Sequence, residues 1–299
     1  MDNKDISKNS LKAWVLASRP KTLTGASVPV MIGLSLAWTA VGAEDFKLLP
    51  AVLCVLFAFI MQIDANFVND YFDFVSGKDD EQRLGPARAC AMGWIEIGKM
   101  RWGIILTTAL ACMVGLPLVL YGGMEMILVG ALCVVFCFLY TTLLASHGLG
   151  DLLVLVFFGI VPVCAMYYLQ TATCTWIVFL ASLACGLVID TLLVVNNYRD
   201  IDNDRRAGKK TLIVMIGADY GRLLYLWLGI IASLMGVVFA VYGQYWTPLL
   251  PTVYLIMHIA TYRRMVKIGK GRQLNLVLAD TARNMFVYGL TVSLGLLLS

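Results

Sequence analysis

Three uninterrupted runs, Trp102–Tyr121, Met126–Leu144 and Leu152–Leu169, contain no charged side chain. Each is close to the roughly 20 apolar residues that a helix needs to cross a bilayer. A transmembrane β-strand would instead alternate apolar and polar residues over segments of about 10. A helix also satisfies its backbone hydrogen bonds within itself, so these blocks read as spans of an all-α, polytopic membrane bundle. Composition extends the reading to the whole chain. Of 299 residues, 60% are hydrophobic and 14% charged, with a mean hydropathy of +0.80, against about 25% charged in an ordinary soluble domain. A soluble globular enzyme is excluded, and the partner to expect is lipid rather than nucleic acid.

About nine spans are expected: Thr22–Val41, Leu48–Asn69, Trp102–Tyr121, Met124–Leu143, Leu149–Gln170, Thr173–Val195, Leu223–Tyr242, Trp246–Tyr262 and Ala282–Ser299. Basic residues accumulate on the cytoplasmic side of membrane proteins. With nine helices, all of the 23 Lys and Arg residues except Lys47 fall on one side. That asymmetry predicts a cytoplasmic N-terminus, cytoplasmic long loops and an outward C-terminus, in the cell's inner membrane. No cleavable leader is expected. The chain reads as one domain, 1–299, with a cytoplasmic N-terminal segment (1–21) and two cytoplasmic loops (76–101 and 199–222). The eight cysteines, without a C-x-x-C pair, read as small buried hydrophobes.

Polar residues repeat in an informative way. Asn66, Asp70, Asp73, Gly77 and Lys78 at the end of the second span are echoed by Asn196, Asp200, Asp204, Gly208 and Lys209 at the end of the sixth. At about 100° per residue, the i, i+4, i+7 and i+11 spacing puts the first four on one helix face. Asp202 points elsewhere. Carboxylates one turn apart repel, and charge in a span is costly. A single Asp pair would read as solvated loop charge; two matched sets call for something that offsets the repulsion. Mg²⁺ takes carboxylate oxygens and bridges them to substrate phosphates, so facing Asp clusters can hold a diphosphate through metal. Lys78, Arg83, Arg88, Arg199, Lys209 and Lys210 then serve the remaining phosphate charge. Asp64 and Asp190 lie deeper in their spans, where carboxylates are functional candidates. Arg19-Pro20-Lys21-Thr22 opens the first span and reads equally as a phosphate contact or as a basic anchor at the membrane edge. His147 reads as a loop residue and His258 as a structural one.

Read whole, Asn66-Phe-Val-Asn-Asp70-Tyr-Phe-Asp73 and Asn197-Tyr-Arg-Asp200-Ile-Asp-Asn-Asp204 resemble the two aspartate-rich motifs of the UbiA superfamily of intramembrane prenyltransferases. The stretch Asn69-Asp70-Tyr-Phe-Asp73…Gly77-Lys-Asp79…Arg83-Leu-Gly85-Pro86-Ala-Arg88 is similar to the 1,4-dihydroxy-2-naphthoate polyprenyltransferase branch. So are Arg19-Pro-Lys-Thr22, Gly148-Leu-Gly-Asp151, Phe157-Phe-Gly159, Tyr167-Tyr-Leu-Gln170 and Asn196-Asn-Tyr-Arg-Asp200…Gly208-Lys-Lys-Thr211. One departure follows Tyr140-Thr141: where that branch carries a Gly- and Pro-containing loop, this chain reads Thr142-Leu-Leu-Ala-Ser-His147.

The resemblance implies a Mg²⁺-dependent enzyme that moves a polyprenyl group from its diphosphate to an aromatic acid. The acceptor it implies is 1,4-dihydroxy-2-naphthoate, with loss of the ring carboxylate as carbon dioxide; 4-hydroxybenzoate or another phenol is the alternative. It makes Asp70, Asp73, Asp200, Asp204 and Asn66 metal and diphosphate residues, with Asp79 and Asp202 as further ligands. Asn69, Arg83, Arg88, Asn196, Asn197, Lys209, Lys210, Arg19, Lys21 and Asp151 are expected substrate contacts. Tyr71, Tyr140 and Tyr198 are candidates to shelter an allylic cation. A cation transporter would place its carboxylates near mid-span along a polar path, whereas here the Asp pairs cluster at helix ends beside basic residues.

Overall fold

The computed structural model describes residues 6–77 and 84–299; Lys78, Asp79 and Arg83 lie outside the described residues. Every regular element among the described residues is helical. Those that carry the architecture are α1 (Leu11–Ser18), α2 (Thr24–Asp45), α3 (Leu48–Val75), α4 (Ile97–Gly115), α5 (Glu125–Leu139), α6 (Gly150–Val154) and α7 (Val161–Thr171). They continue as α8 (Trp176–Arg206), α9 (Ala218–Met235), α10 (Thr252–Ile268) and α11 (Leu274–Leu298). Two wide π-helical turns, Tyr140–Leu144 and Leu155–Ile160, follow α5 and α6.

Eight rods in this series are long and apolar enough to cross a bilayer. The expected span Trp246–Tyr262 is a short turn, Trp246–Leu249, running into the 17-residue α10. The interruption falls at Pro251, whose ring supplies no backbone donor. The last helix starts at Leu274, well before the expected Ala282. Its early turns carry charge that is matched locally, with Asp280 2.6 Å from Arg264 and 3.3 Å from Arg283.

The core runs along α2 and α8. Val28, Ile32 and Leu36 of α2 meet Ala184, Val188 and Ile189 of α8, with Met285 and Val292 of α11 closing one side. Outward-facing side chains are apolar: Trp102 and Leu106 are each 65% exposed, Leu128 63% and Leu120 85%. In water such rows would be an aggregation surface; around a membrane bundle they face acyl chains. At the end away from the Asp motifs, Gln170 clips the α2–α3 connection, its amide accepting from the Lys47 N–H and donating to the Lys47 carbonyl, both at 2.8 Å. Lys47, the one basic residue set apart by the charge count, thus sits at the opposite end from the Asp motifs.

Candidate functional site

The C-terminal turns of α3 carry the first motif on one face, as its spacing predicts. Asn66, buried, donates from Nδ2 to the Ser18 carbonyl and to Thr22 Oγ1, both at 2.9 Å. Between those two acceptors stands Arg19, in the left-handed region at φ 49°, a conformation uncommon for a residue with a side chain. Clamped there, Arg19 places a guanidinium nitrogen 3.8 Å from Asp70. One turn on, the Asp70 carboxylate is fully buried and accepts from the backbone N–H groups of Ala89 and Cys90, each at 2.9 Å. Asp73 meets Arg88 at 2.8 Å. The loop that supplies these partners is anchored by Ala89, Cys90, Trp94 and Ile95, which pack on Ala13, Ala17 and Phe67.

The second motif repeats the arrangement at the end of α8. Buried Arg199 reaches three side chains: Nε donates to Asp200 at 2.9 Å, Nη2 to Asn196 at 2.7 Å and Nη1 to Asn275 at 2.8 Å. Lys209 lies 3.3 Å from Asp204. Each of the four motif aspartates therefore has a cation of its own: Arg19, Arg88, Arg199 and Lys209 for Asp70, Asp73, Asp200 and Asp204.

The two motifs meet the same intervening elements. Asn275 of α11, which accepts from Arg199, donates to the Leu84 carbonyl in the loop after the first motif at 2.8 Å. The Tyr140–Leu144 turn bonds to the first motif through Thr141 and Asn69. Just beyond that turn, the Ser146 carbonyl accepts from the Lys210 N–H after the second motif, at 2.9 Å. Tyr140 lies within electrostatic reach of Asp73, Arg88, Asp151 and Asp190. Both clusters thus occupy one end of the bundle, around one group of loops.

The other expected residues are distributed as follows. Asn197 is buried beside the second motif, while Lys21 and the Lys210 side chain are exposed. Asp202 faces away, exposed, 3.5 Å from Lys270 and 4.0 Å from Arg205. Asp79 and Arg83 lie outside the described residues. Asp64, two residues before Asn66, is held by Thr107 and Thr108 of α4. Sequence reasoning missed Asn275 and the Ala89 and Cys90 amides. The only signal for Asn275 was an amide in the first turn of an apolar helix; backbone donors leave no signal in side-chain identity.

The donors facing the shared region are carboxylate and amide oxygens, the chemistry that a hard divalent cation takes. Asp73, Asp200 and Asp204 fit that role, each with an exchangeable cation against it. Asp70, enclosed and engaged by two amides, fits best as the post that fixes the loop bearing Arg88.

Residues 26–290 match the family model described as the UbiA prenyltransferase family. A 1,4-dihydroxy-2-naphthoate octaprenyltransferase of Haemophilus influenzae is 36% identical over 250 residues, 81% of each chain. One of Mycobacterium tuberculosis is 33% identical over 288 residues, 95% of this chain and 96% of that one. Among solved structures, a UbiA homologue from Archaeoglobus fulgidus bound to DMAPP and Mg²⁺ superposes with a TM-score of 0.64 at 15% identity. That match covers 94% of this chain and 99% of the other.

Proposed function

This chain belongs to the UbiA prenyltransferase family, a multi-pass membrane enzyme family, and from that premise we propose that it transfers a polyprenyl group from its diphosphate to 1,4-dihydroxy-2-naphthoate. The ring carboxylate leaves as carbon dioxide. The acceptor follows from the relatives in Haemophilus influenzae and Mycobacterium tuberculosis, and the need for Mg²⁺ from the motif chemistry together with the Archaeoglobus fulgidus homologue. One observation carries the site assignment: four aspartates at one end of the bundle, each matched with its own cation.

In this reading Asp73, Asp200 and Asp204 hold Mg²⁺, with Asn66 and Asp70 shaping the first motif around them. The metal, when bound, neutralises charge on the departing diphosphate. Freed from their aspartates, Arg88, Arg199 and Lys209 turn to the phosphate oxygens, the arginines in bidentate fashion. Arg19 lies alongside at the enclosed Asp70. Bond breaking leaves an allylic cation that the electron-rich ring attacks, and the Tyr140 ring beside the first motif is placed to stabilise it. Lipid-facing helices keep bulk water from quenching that cation to a prenol. The excess of basic residues in the loops supports a cytoplasmic N-terminus and a cytoplasmic site.

The test is prenyl transfer by the full-length protein in membranes at saturating Mg²⁺. Asp73→Asn and Asp200→Asn should each lower turnover by about 10²-fold or more, the scale seen when a charge-stabilising group is removed. Activity near wild type in both would sink the metal assignment. Offering 1,4-dihydroxy-2-naphthoate and 4-hydroxybenzoate together identifies the acceptor, and exclusive prenylation of the benzoate would overturn it.

A further inference from the structure

Asp190 is 5% exposed, and its Oδ1 has no hydrogen-bond partner. Oδ1 of Asp151 is likewise buried and unpartnered, and the two carboxylates lie within electrostatic reach of each other. Their meeting is built into the helix crossing. At Gly186 of α8, an added Cβ would stand 2.8 Å from the Leu155 carbonyl oxygen, and at Gly159 it would stand 2.5 Å from the Gly186 Cα. The chains run in opposite directions there, and four residues toward the motif end from Gly186 and from Leu155 lie Asp190 and Asp151. The Tyr140 ring closes the neighbourhood, with its Cε2 3.8 Å from where a Cβ on Gly150 would be.

Buried acceptors without donors are costly and rare in a settled structure. Two acceptors side by side call for a ligand that brings O–H or N–H donors. A metal is a poor match, because two carboxylates in an apolar setting are too few oxygens for a hard cation. Gly150, next to Asp151, faces Leu193 and the Tyr140 edge, and Gly186, one turn before Asp190, faces Leu155, apolar neighbours that suit a flat aromatic body carrying hydroxyls. Thr141, next to Tyr140, bonds to Asn69 of the first motif, so a ring bound beside Tyr140 lies near the diphosphate face.

We infer that Asp151 and Asp190 together form the hydroxyl-recognition site for the phenolic acceptor, and that one of them takes its proton. This rests on the prenyl-transfer reading and deepens it. The step balances as follows. The C1–O bond breaks, its electron pair leaving with the diphosphate, and a ring carbon then bonds to the allylic C1 of the cation. The acceptor's O–H bond gives its electrons to the ring, and its proton passes to the carboxylate.

Purified full-length protein with Mg²⁺ and a prenyl diphosphate should be assayed against 1,4-dihydroxy-2-naphthoate and its mono-O-methyl ethers, for wild type, Asp190→Asn and Asp151→Asn. A site that hydrogen-bonds a hydroxyl strongly rejects analogues lacking it. We expect wild type to discriminate against at least one ether by about 10²-fold or more in kcat/KM, and each variant to lose most of that discrimination. KM for the prenyl diphosphate should change less than about threefold, as expected for groups that do not touch it. Equal use of phenol and ethers by wild type overturns the proposal even if a variant fails to fold. So do variants that keep wild-type discrimination. In both cases prenyl transfer by wild type persists, so the proposed function survives; absence of transfer to any aromatic acceptor removes both.

Discussion

Four hydrogen bonds leave the Arg199 guanidinium, two to Asp200 and one each to Asn196 and Asn275. Only a planar fork reaches three side chains at once, so Arg199→Lys keeps the charge but not the geometry. That substitution should cost about 3–6 kcal/mol, two charge-assisted bonds at about 1.5–3 kcal/mol each, read as a lower midpoint for unfolding in detergent. An unchanged midpoint would mean that the fork is dispensable. Asn66→Ala would strand the Ser18 carbonyl and release the left-handed Arg19 turn, and a loss of about 1–3 kcal/mol is expected. Lys8 and Asn9 hold the exposed Glu96 carboxyl below its ordinary range. Whatever this clasp contributes is therefore present above the unfolded carboxyl pKa and fades as pH falls through the lower, folded one. At this scale the sequence was informative where side chains recur. Asn66, Asp70 and Asp73 share a face because their spacing requires it. Asp70's amide partners and the Arg199–Asn275–Leu84 relay were not legible, since they depend on which distant backbone folds back.

Among the elements, the crossing of α8 over the Leu155–Ile160 turn is the tightest constraint near the site. Gly186→Ala puts a methyl group against the Leu155 backbone, and overpacking of this kind costs about 1–3 kcal/mol. The expected readout is a lower unfolding midpoint together with reduced prenyl transfer, because the shift displaces Asp190. Full stability and full activity would argue that the crossing gives way freely. The spans themselves were readable because charge-free blocks leave little choice in a bilayer. Their ends were less so: α11 begins at Leu274, and its early Asp280 is matched by Arg283 within the helix and by Arg264 of α10, pairings that hydropathy does not register. The π-helical turns had no periodic signature.

For the molecule as a whole, with α10 taken as a ninth crossing beside the eight longer rods, the count of basic residues predicts that a tag before Met1 is reached only after cells are permeabilised, while one after Ser299 is reached on intact cells. The reverse pattern would invert the topology and move the site outside. The aspartate–cation pairs make a second prediction. Chelation of Mg²⁺ should abolish turnover without a matching fall in the unfolding midpoint, since no motif carboxylate waits for metal to be neutralised. A steep loss of fold on chelation would contradict this. Because each of the four motif aspartates already has a local counterion, binding in the proposed reaction would be a partner exchange, with Arg88, Arg199 and Lys209 available to phosphate once Mg²⁺ occupied the carboxylates. Product release would then be the same trade in reverse, the basic side chains returning to the carboxylates and the emptied protein resetting without an outside ion.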